Sequence, residues 1–384
     1  MTIPLSHPAA LDLARRLHAE VLDPMKQTFV GKDEIIDLLG VCLVGGENLF
    51  ILGPPGTAKS ALVHELAARL EGRSFDYLLT RFTEPNELFG PFDLRKLREG
   101  ELLTNTEGML PEASLVFLDE LLNANSAILN SLLLALNERL FRRGKESRRL
   151  KALMFVGASN HLPEDDALKA LFDRFLLRVH CDNVAPEQLT AVLDAGWKLQ
   201  RTDAPRAATL HFEEVESLQR LIPLVDLSTG RGGYAELVQR IRHAGIQISD
   251  RRAVKLQRLV AASALLCGRM ATRLADFWVL KHIWDTEEQR EVLRSLVGAA
   301  INREAAAADD HPRARASEEA DPEGLARDLE AIAAQLPEAD ATETSYLRDR
   351  LGILDGRCQW IADRDQRDFL ARRVAELWEK FAGK

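Results

Sequence analysis

A run of eight residues directly after the apolar stretch Leu49–Leu52 has the types and spacing needed to bind phosphate. The run is Gly53, Pro54, Pro55, Gly56, Thr57, Ala58, Lys59 and Ser60. Its backbone N–H groups can point at phosphate oxygens, and the following helix adds the positive end of its dipole. The lysine can reach the β- and γ-phosphates of ATP, and the serine hydroxyl can ligate Mg²⁺. We therefore predict that this loop binds ATP together with magnesium.

Ala58 departs from the usual G-x-x-x-x-G-K-[ST] pattern, because it stands where the second glycine is expected. A methyl group is tolerated there if the residue has helical φ and ψ angles, since only a positive φ requires glycine. We therefore expect a helical conformation at Ala58. The alternative is that the segment is an ordinary Gly/Pro turn between a strand and a helix.

A second apolar run ends in two carboxylates. Residues 115–118 are followed by Asp119 and Glu120, about 60 residues after the loop. This pattern predicts a buried parallel strand that delivers both side chains to the carboxyl edge of a sheet, where ligands bind. Asp119 can hold Mg²⁺ through water, and Glu120 can orient and deprotonate the attacking water. The alternative, a strand that runs into an exposed turn, is disfavoured by the phosphate loop upstream.

A polar residue and a cation lie at the ends of later apolar runs. Residues 153–159 predict a third strand that ends at Asn160, whose amide could hold the same water. Arg174 lies between apolar residues just before a further strand at 175–179. Its guanidinium could stabilise transition-state charge, or it could form a surface ion pair. Asn160 could equally be a turn-forming residue.

The order of these parts resembles the MoxR branch of the AAA+ ATPases over roughly residues 10–300. Four motifs carry the resemblance: the loop 53–60, Leu118-Asp119-Glu120 followed by a helix beginning near Asn123, Gly157-Ala158-Ser159-Asn160, and Leu171-Phe172-Asp173-Arg174-Phe175. The segments 80–91 and 249–252 look most like the RavA-type subgroup. RavA-type proteins carry a helical extension with a compact β-rich insertion, whereas only a short linker stands in that place here.

The resemblance implies roles for three further side chains. Asn160 is by this likeness the sensor-1 residue, and Arg174 is the arginine finger that acts on a neighbouring subunit. Arg251 is the sensor-2 arginine of a helical lid, with Arg252 adjacent to it.

The resemblance also implies ligands and partners. Backbone at Val30 and Gly31 is expected to meet the adenine, and ATP and Mg²⁺ are the expected cofactors. The expected assembly is a homo-oligomeric ring, most often a hexamer. The expected partner is a protein with a von Willebrand factor A (vWA) domain.

The pattern of apolar residues divides the chain into four parts, 1–184, 185–302, 303–323 and 324–384. After a helical lead-in at 8–46, strands and helices alternate to about residue 182, which predicts an α/β fold with a doubly wound parallel sheet. The second part has three- and four-residue apolar periodicity, which predicts an all-α lid. In it, Ser249 is a candidate N-cap for a helix over 251–269.

The remaining segments are an insert, a linker and a tail. Residues 92–109 are predicted to form a hairpin inserted into the second helix of the first part, and 303–323 a flexible linker. The tail is predicted to form a small helical bundle with three apolar stripes. They are Leu325, Leu329, Ile332 and Leu336; Leu347, Leu351, Leu354, Trp360 and Ile361; and Phe369, Leu370, Val374, Leu377, Trp378 and Phe381.

Composition excludes several classes of protein. No apolar run is long enough to span a membrane, and charged residues interrupt the N-terminal stretch, so neither a transmembrane helix nor a signal peptide is expected. Four scattered cysteines without a C-x-x-C pair argue against disulfides and a structural zinc site. These features predict a cytoplasmic protein. The net charge of −9 argues against a surface that binds nucleic acid over its whole extent.

One basic segment departs from the acidic average. It contains Arg139, Arg142, Arg143, Lys145, Arg148 and Arg149, with Gly144 near its middle. The pattern predicts a hairpin tip, which could grip an acidic peptide or nucleic acid, or could be a solvated charged turn.

We expect an ATP-hydrolysing ring that remodels a partner protein. The alternatives are an assembly scaffold and a hairpin-bearing nucleic-acid translocase.

Overall fold

The computed structural model describes residues 7–184, 186–201 and 209–315, scattered helical positions between 325 and 358, and the helix Arg364–Ala382. The chain divides into two compact units, Met1–Arg315 and Ala316–Lys384. Each unit has its own cluster of buried apolar side chains.

A parallel sheet forms the centre of the first unit. The strands are β1 (Leu49–Leu52), β2 (Leu70–Glu71), β3 (Ser74–Leu78), β4 (Leu115–Asp119), β5 (Leu140–Arg143), β6 (Glu146–Arg149), β7 (Met154–Ser159), β8 (Leu177–His180) and β9 (Leu210–His211). Five of them form the sheet, in the order β3-β4-β7-β1-β8, and all its pairings are parallel. Strands β1 and β7 are wholly buried, as expected for apolar strands covered on both faces.

Register brings the carboxyl ends of the central strands to one edge. Leu52 pairs with Ser159, and Leu118 pairs with Gly157, so β1, β4 and β7 end at similar depth. The predicted first strand is confirmed at Leu49–Leu52, whereas β8 begins at Leu177, two residues later than predicted. The candidate residues that follow these strands therefore lie along a single edge.

Helices flank the sheet and form the lead-in and the lid. They are α1 (His7–Arg16), α2 (Asp23–Thr28), α3 (Asp33–Gly45), α4 (Lys59–Arg69), α5 (Pro85–Phe89), α6 (Leu94–Arg98), α7 (Ser126–Glu138), α8 (Asp166–Phe172), α9 (Leu189–Arg201), α10 (Phe212–Leu221), α11 (Ser228–His243), α12 (Asp250–Leu266) and α13 (Glu288–Ile301). None of the described helices is both long enough and apolar enough to cross a bilayer.

The lid is helical with one exception. Strand β9 pairs in parallel with β2, with Leu70 opposite Leu210. The prediction that the last strand lies before residue 182 is therefore wrong. The sequence does not reveal β9, because two residues are too few to show the alternation of apolar and polar residues that marks a strand. The predicted N-cap is confirmed, because the Ser249 hydroxyl accepts a hydrogen bond of 3.1 Å from the backbone N–H of Arg252. The helix it caps begins at Asp250, one residue before the predicted start.

The insert at residues 92–109 is not the predicted hairpin. It contains the short helix α6 and a single antiparallel bridge between Phe92 and Thr104. Asp93 explains the difference, because its carboxylate accepts hydrogen bonds from the N–H groups of Arg95 and Lys96 and so caps the helix.

The predicted basic hairpin is present as β5 and β6, with Gly144 at φ 59° in the turn. Several of its cations are bound within the fold. The Arg143 guanidinium lies 3.7 Å from the ring centroid of Phe92 and donates to the carbonyl of Gly90. The Arg148 guanidinium donates to the Thr106 hydroxyl at 3.0 Å. The hairpin and the insert are thereby joined.

Residues 303–315, the first half of the predicted linker, pack on the first unit. Arg313 Nε lies 2.7 Å from Asp37 Oδ2, and the His311 ring stacks on Trp278 with centroids 4.4 Å apart. The boundary between the units consequently falls after Arg315 rather than near Arg303. The composition of this segment resembles a linker, but its partners lie far away in the sequence.

The tail has a small core of its own. It gathers residues from all three predicted stripes, together with Cys358. The predicted third stripe is wrong at Phe369, which is about half exposed. Trp360 and Ile361 of the second stripe lie outside the described residues.

Burial makes His311 a pH-dependent contributor to stability. Desolvation, the largest effect, lowers the pKa of His311, Asp37 opposes this, and the nearby cations Lys26 and Arg313 add to the lowering, so that the pKa is about 4. The unfolded chain has the ordinary pKa near 6.5 and binds the proton first as pH falls. The stabilisation is therefore complete above about pH 6.5 and is lost toward pH 4.

We expect the free energy of unfolding to fall by about 2–3 kcal/mol more in the wild type than in His311→Gln between pH 7.5 and 4.5. Urea denaturation at several pH values measures this difference. His243→Gln, at the exposed end of α11, is the control and should keep the wild-type pH dependence. Parallel curves for the wild type and His311→Gln would show that His311 titrates normally in the folded chain.

Candidate nucleotide-binding site

The phosphate loop begins at a close contact between two strand ends. A Cβ atom at Gly53 would lie only 2.3 Å from the carbonyl oxygen of Cys181, so no larger residue fits. The Gly53 N–H donates to Ser159 O, and the Cys181 N–H donates to Leu52 O. The chain at the end of β1 is thus bonded to the last residue of β7 and to the residue that follows β8, and the loop starts from a fixed point.

Ala58 is not helical, contrary to the prediction. It has φ 71° and ψ 20°, in the left-handed region, and it forms the N-cap of α4. This conformation costs a residue with a Cβ roughly 1–2 kcal/mol relative to right-handed backbone. Strained backbone of this kind concentrates at ligand-binding loops, where the surrounding structure holds it in place. Ala58 therefore adopts a left-handed backbone conformation that glycine tolerates without strain.

Lys59 lies inside the loop. Its ammonium donates to the carbonyls of Gly53 at 2.7 Å and Pro54 at 2.9 Å, and its side chain is buried. The Thr57 hydroxyl also donates to Pro54 O, at 2.9 Å. The loop is consequently closed around a single positive charge.

The predicted magnesium ligands lie together at the start of α4 and the end of β4. The Ser60 hydroxyl is 3.5 Å from Asp119 Oδ2. A hydroxyl and a carboxylate are hard oxygen ligands of the kind that Mg²⁺ prefers, so this donor set fits the ion. The backbone N–H of Glu120 donates to the other carboxylate oxygen of Asp119 at 2.9 Å. Glu120 itself has φ 49°, which turns the chain sharply after the strand.

A cleft of about 700 Å³ adjoins the loop. Its walls come from the lead-in, α4 and the lid helix α9, and its lining includes Val30, Thr57, Ala58, Asp182, Leu189 and Val192. Its mostly apolar lining fits a nucleoside base. Gly31 has φ 71°, and a Cβ there would lie 3.0 Å from the side chain of Val184, another lining residue.

The other predicted site residues lie directly after β7, shortly before β8 and in the lid helix α12. Asn160 is exposed and directly follows β7. Arg174 Nη1 lies 3.5 Å from Asp173 Oδ2, and its backbone carbonyl accepts a hydrogen bond from Asn48 Nδ2. Arg251 is exposed in the first turn of α12, whereas Arg252 is buried. The structure thus places Ser60 beside Asp119, with Lys59 and Glu120 next to them in the chain, whereas the described partners of Arg174 are Asp173 and Asn48.

A buried arginine, missed by the sequence analysis, joins the sheet to the lid. Arg178 on β8 is fully buried, and its guanidinium donates to the carbonyls of Phe172, Ile283 and Trp284. It also lies 2.9 Å from Asp285 Oδ1. In sequence it looks like any charged residue of a strand, and only its contacts reveal its role.

Burial, together with the neighbouring Arg252, lowers the pKa of Arg178 to about 9. Asp285 and Asp173 act in the opposite direction. The guanidinium remains charged at neutral pH, and its charge needs these carboxylates because unpaired buried charges are costly.

Comparison with known proteins gives two matching families. A family model described as the MoxR domain in the MoxR-vWA-beta-propeller ternary systems matches residues 15–220. A second, described as an AAA lid domain, matches residues 235–297. Together they cover the sheet and most of the lid.

Among curated proteins, two uncharacterized proteins of Methanocaldococcus jannaschii are each 33% identical to the chain. The matches cover 69% and 70% of this chain and 70% and 71% of the relatives. Chaperone MoxR1 of Mycobacterium tuberculosis is 26% identical over 46% of this chain and 48% of that protein.

A crystal structure from Cytophaga hutchinsonii has the same fold. It superposes with a TM-score of 0.62 at 19% identity, covering 77% of this chain and 96% of that chain.

The contact at Gly53 predicts a specific effect of substitution. Gly53→Ala places a methyl group against the Cys181 carbonyl, and overpacking of this kind costs about 1–3 kcal/mol. We expect ATP affinity to fall roughly tenfold or more, since 1.4 kcal/mol is a factor of ten. Fluorescence titration with a labelled ATP analogue measures this.

Ala58→Gly is the comparison in the same loop. It removes a methyl group from a left-handed residue, so binding should be retained. Unchanged affinity in Gly53→Ala would mean that β1 and the Cys181 segment separate easily.

Proposed function

This chain belongs to the MoxR family of AAA+ ATPases, and on that basis we propose that it hydrolyses ATP in a ring to remodel a partner protein. The fold is α/β with a helical lid. The observation that carries the proposal is the grouping of Lys59, Ser60, Asp119 and Glu120 at the edge of the sheet, beside a cleft large enough for a nucleotide.

The loop residues bind the substrate in this proposal. The backbone of residues 53–58 surrounds the phosphates, and Lys59 exchanges its loop carbonyls for phosphate oxygens. Ser60 would hold Mg²⁺ directly and Asp119 through water, and the ion would neutralise charge on the phosphates. Val30 and the apolar residues of the cleft contact the base, with backbone at Gly31 beside it.

The hydrolytic roles follow from the strand ends. Glu120 takes a proton from the attacking water, and Asn160 holds that water in place. Arg174 stabilises the charge that develops in the neighbouring subunit, and Arg251 responds to nucleotide from the lid. The support for Arg174 is its position just before β8, beyond Asn160 in the sequence.

We propose a cytoplasmic hexamer whose partner carries a vWA domain. The support is the description of the matching family, which names MoxR-vWA systems, and the chaperone relative. Segments 80–91 and 249–252 further suggest a RavA-type member. Internal contacts of Arg139, Arg143 and Arg148 weigh against a nucleic-acid translocase, because they leave fewer hairpin cations free for phosphate.

Glu120 and Lys59 should have separable effects. Glu120→Gln should keep ATP binding and assembly but lose roughly 10²–10⁴ of the hydrolysis rate, the range for general base catalysis. Lys59→Ala should weaken binding itself. Steady-state turnover and nucleotide titration measure the two effects.

The Glu120→Gln variant also serves to test the partner. Held with ATP, it should retain a vWA-domain protein from native lysate, whereas Lys59→Ala should not. A normal hydrolysis rate in Glu120→Gln would refute the assignment of the base.

Sharing of the active site between subunits can be tested with Arg174. Arg174→Ala should keep ATP binding but lose hydrolysis, by roughly 10³–10⁵ in analogy with GTPases. Mixed with inactive Glu120→Gln protein, it should regain activity, because a site with an intact Glu120 then receives an intact arginine from its neighbour.

The mixture must be dissociated and reassembled, with exchange confirmed by energy transfer between labelled chains. A mixture that stays inactive after confirmed exchange would show that Arg174 acts within its own chain or supports structure alone.

A further inference from the structure

Asp173 lies between two arginines that belong to different parts of the first unit. Its Oδ2 is 3.5 Å from Nη1 of Arg174, and its Oδ1 is 3.9 Å from Nη1 of Arg252. Arg174 precedes β8 of the sheet, whereas Arg252 is in the first turn of the lid helix α12. A single carboxylate therefore interacts with both arginines, through separate oxygens.

Arg252 is held from the opposite side by the lid. It donates to the carbonyl of Ile283 at 2.7 Å and lies 3.3 Å from each carboxylate oxygen of Asp285. Asp285 is also the ion-pair partner of Arg178. Two buried guanidinium groups thus share Asp285, and Asp173 is the other described carboxylate within ion-pair distance of Arg252. The carboxylate of Asp173 therefore forms an ion pair with a residue of the lid.

The backbone of Arg174 is fixed independently of Asp173. Its carbonyl accepts from Asn48 Nδ2, and its N–H donates to Leu171 O at 3.0 Å. Asn48 is in turn held by Arg139, which donates to its Oδ1 at 2.8 Å. Loss of the Asp173 charge should therefore change the direction of the Arg174 side chain rather than the path of the chain.

We propose that Asp173 is a positioning residue that aims Arg174 and couples this aim to the lid through Arg252. The inference rests on the proposed action of Arg174 in the neighbouring site. When Arg174 turns to the neighbour's phosphate, the carboxylate is left to Arg252 alone. When the lid withdraws Arg252, the carboxylate is left to Arg174. The two arginines share the charge of one carboxylate, so the strength of each contact depends on the other, and the coupling acts in both directions.

Asp173→Asn tests this role, because it preserves shape and removes charge. We expect turnover at saturating ATP to fall roughly tenfold, within the range typical of coupling between sites, with KM for ATP and assembly unchanged. Mixed with Glu120→Gln protein under the same exchange protocol, it should regain activity. Recovery is decisive, since a defect confined to the variant's own site cannot be corrected by its neighbour.

Asp166→Asn is the matched control. Asp166 begins the preceding helix, α8, and its side chain is 99% exposed, so turnover should equal that of the wild type. Wild-type turnover in Asp173→Asn would overturn the proposal, as would a loss of turnover that the mixture does not correct while the Arg174→Ala mixture recovers. Failure of both mixtures would refute the shared site itself, and this inference with it.

The lid contact is tested by a double-mutant cycle. In an Arg252→Gln background, Asp173→Asn should lower turnover by less than about twofold, because the coupled partner is already absent. Additive losses would refute the lid half of the proposal. Arg252→Met, which keeps a long aliphatic side chain and removes the charge, provides a second background if Arg252→Gln lowers the thermal unfolding temperature.

Discussion

The approach of Gly53 to the Cys181 carbonyl is the contact on which the nucleotide site depends. It lets the end of β1 lie between Ser159 and Cys181 with hydrogen bonds to both. Cys181 further supports the loop, because its thiol donates to the carbonyl of Thr57 at 3.1 Å. The loop therefore starts from a defined position at the carboxyl edge of the sheet, level with the ends of β4 and β7, where the candidate catalytic residues lie.

The lid is attached to this sheet by charge rather than by apolar packing alone. Arg178 reaches from β8 to two lid carbonyls and to Asp285, and His180 on the same strand lies 2.8 Å from Glu287. A buried charge such as that of Arg178 needs well-placed partners, and removal of one partner is far more costly than the pair is stabilising. Such contacts are therefore sensitive to small rotations of the lid.

Local patterns account for what the sequence could predict. The phosphate loop, Asp119, Glu120 and the N-cap at Ser249 each depend on residues close together in the chain. The left-handed conformation of Ala58 could not be read from an alanine, because side-chain type gives no sign of positive φ there. Arg178 was missed because its partners near residue 284 are about a hundred positions away. Residues 303–315 were assigned to a linker for the same reason, since Arg313 pairs with Asp37.

Packing of residues 303–315 also determines where mechanical load enters the first unit. Tension on the chain after Arg315 would be borne by the hydrogen bond of Arg315 to the Glu304 carbonyl and by the ion pair between Arg313 and Asp37. Asp37 lies in α3, and its other carboxylate oxygen, Oδ1, forms an ion pair of 2.6 Å with Lys26 Nζ of α2. Because α2 also contributes Thr28 to the lining of the nucleotide cleft, tension on this ion pair would be felt at a wall of that cleft.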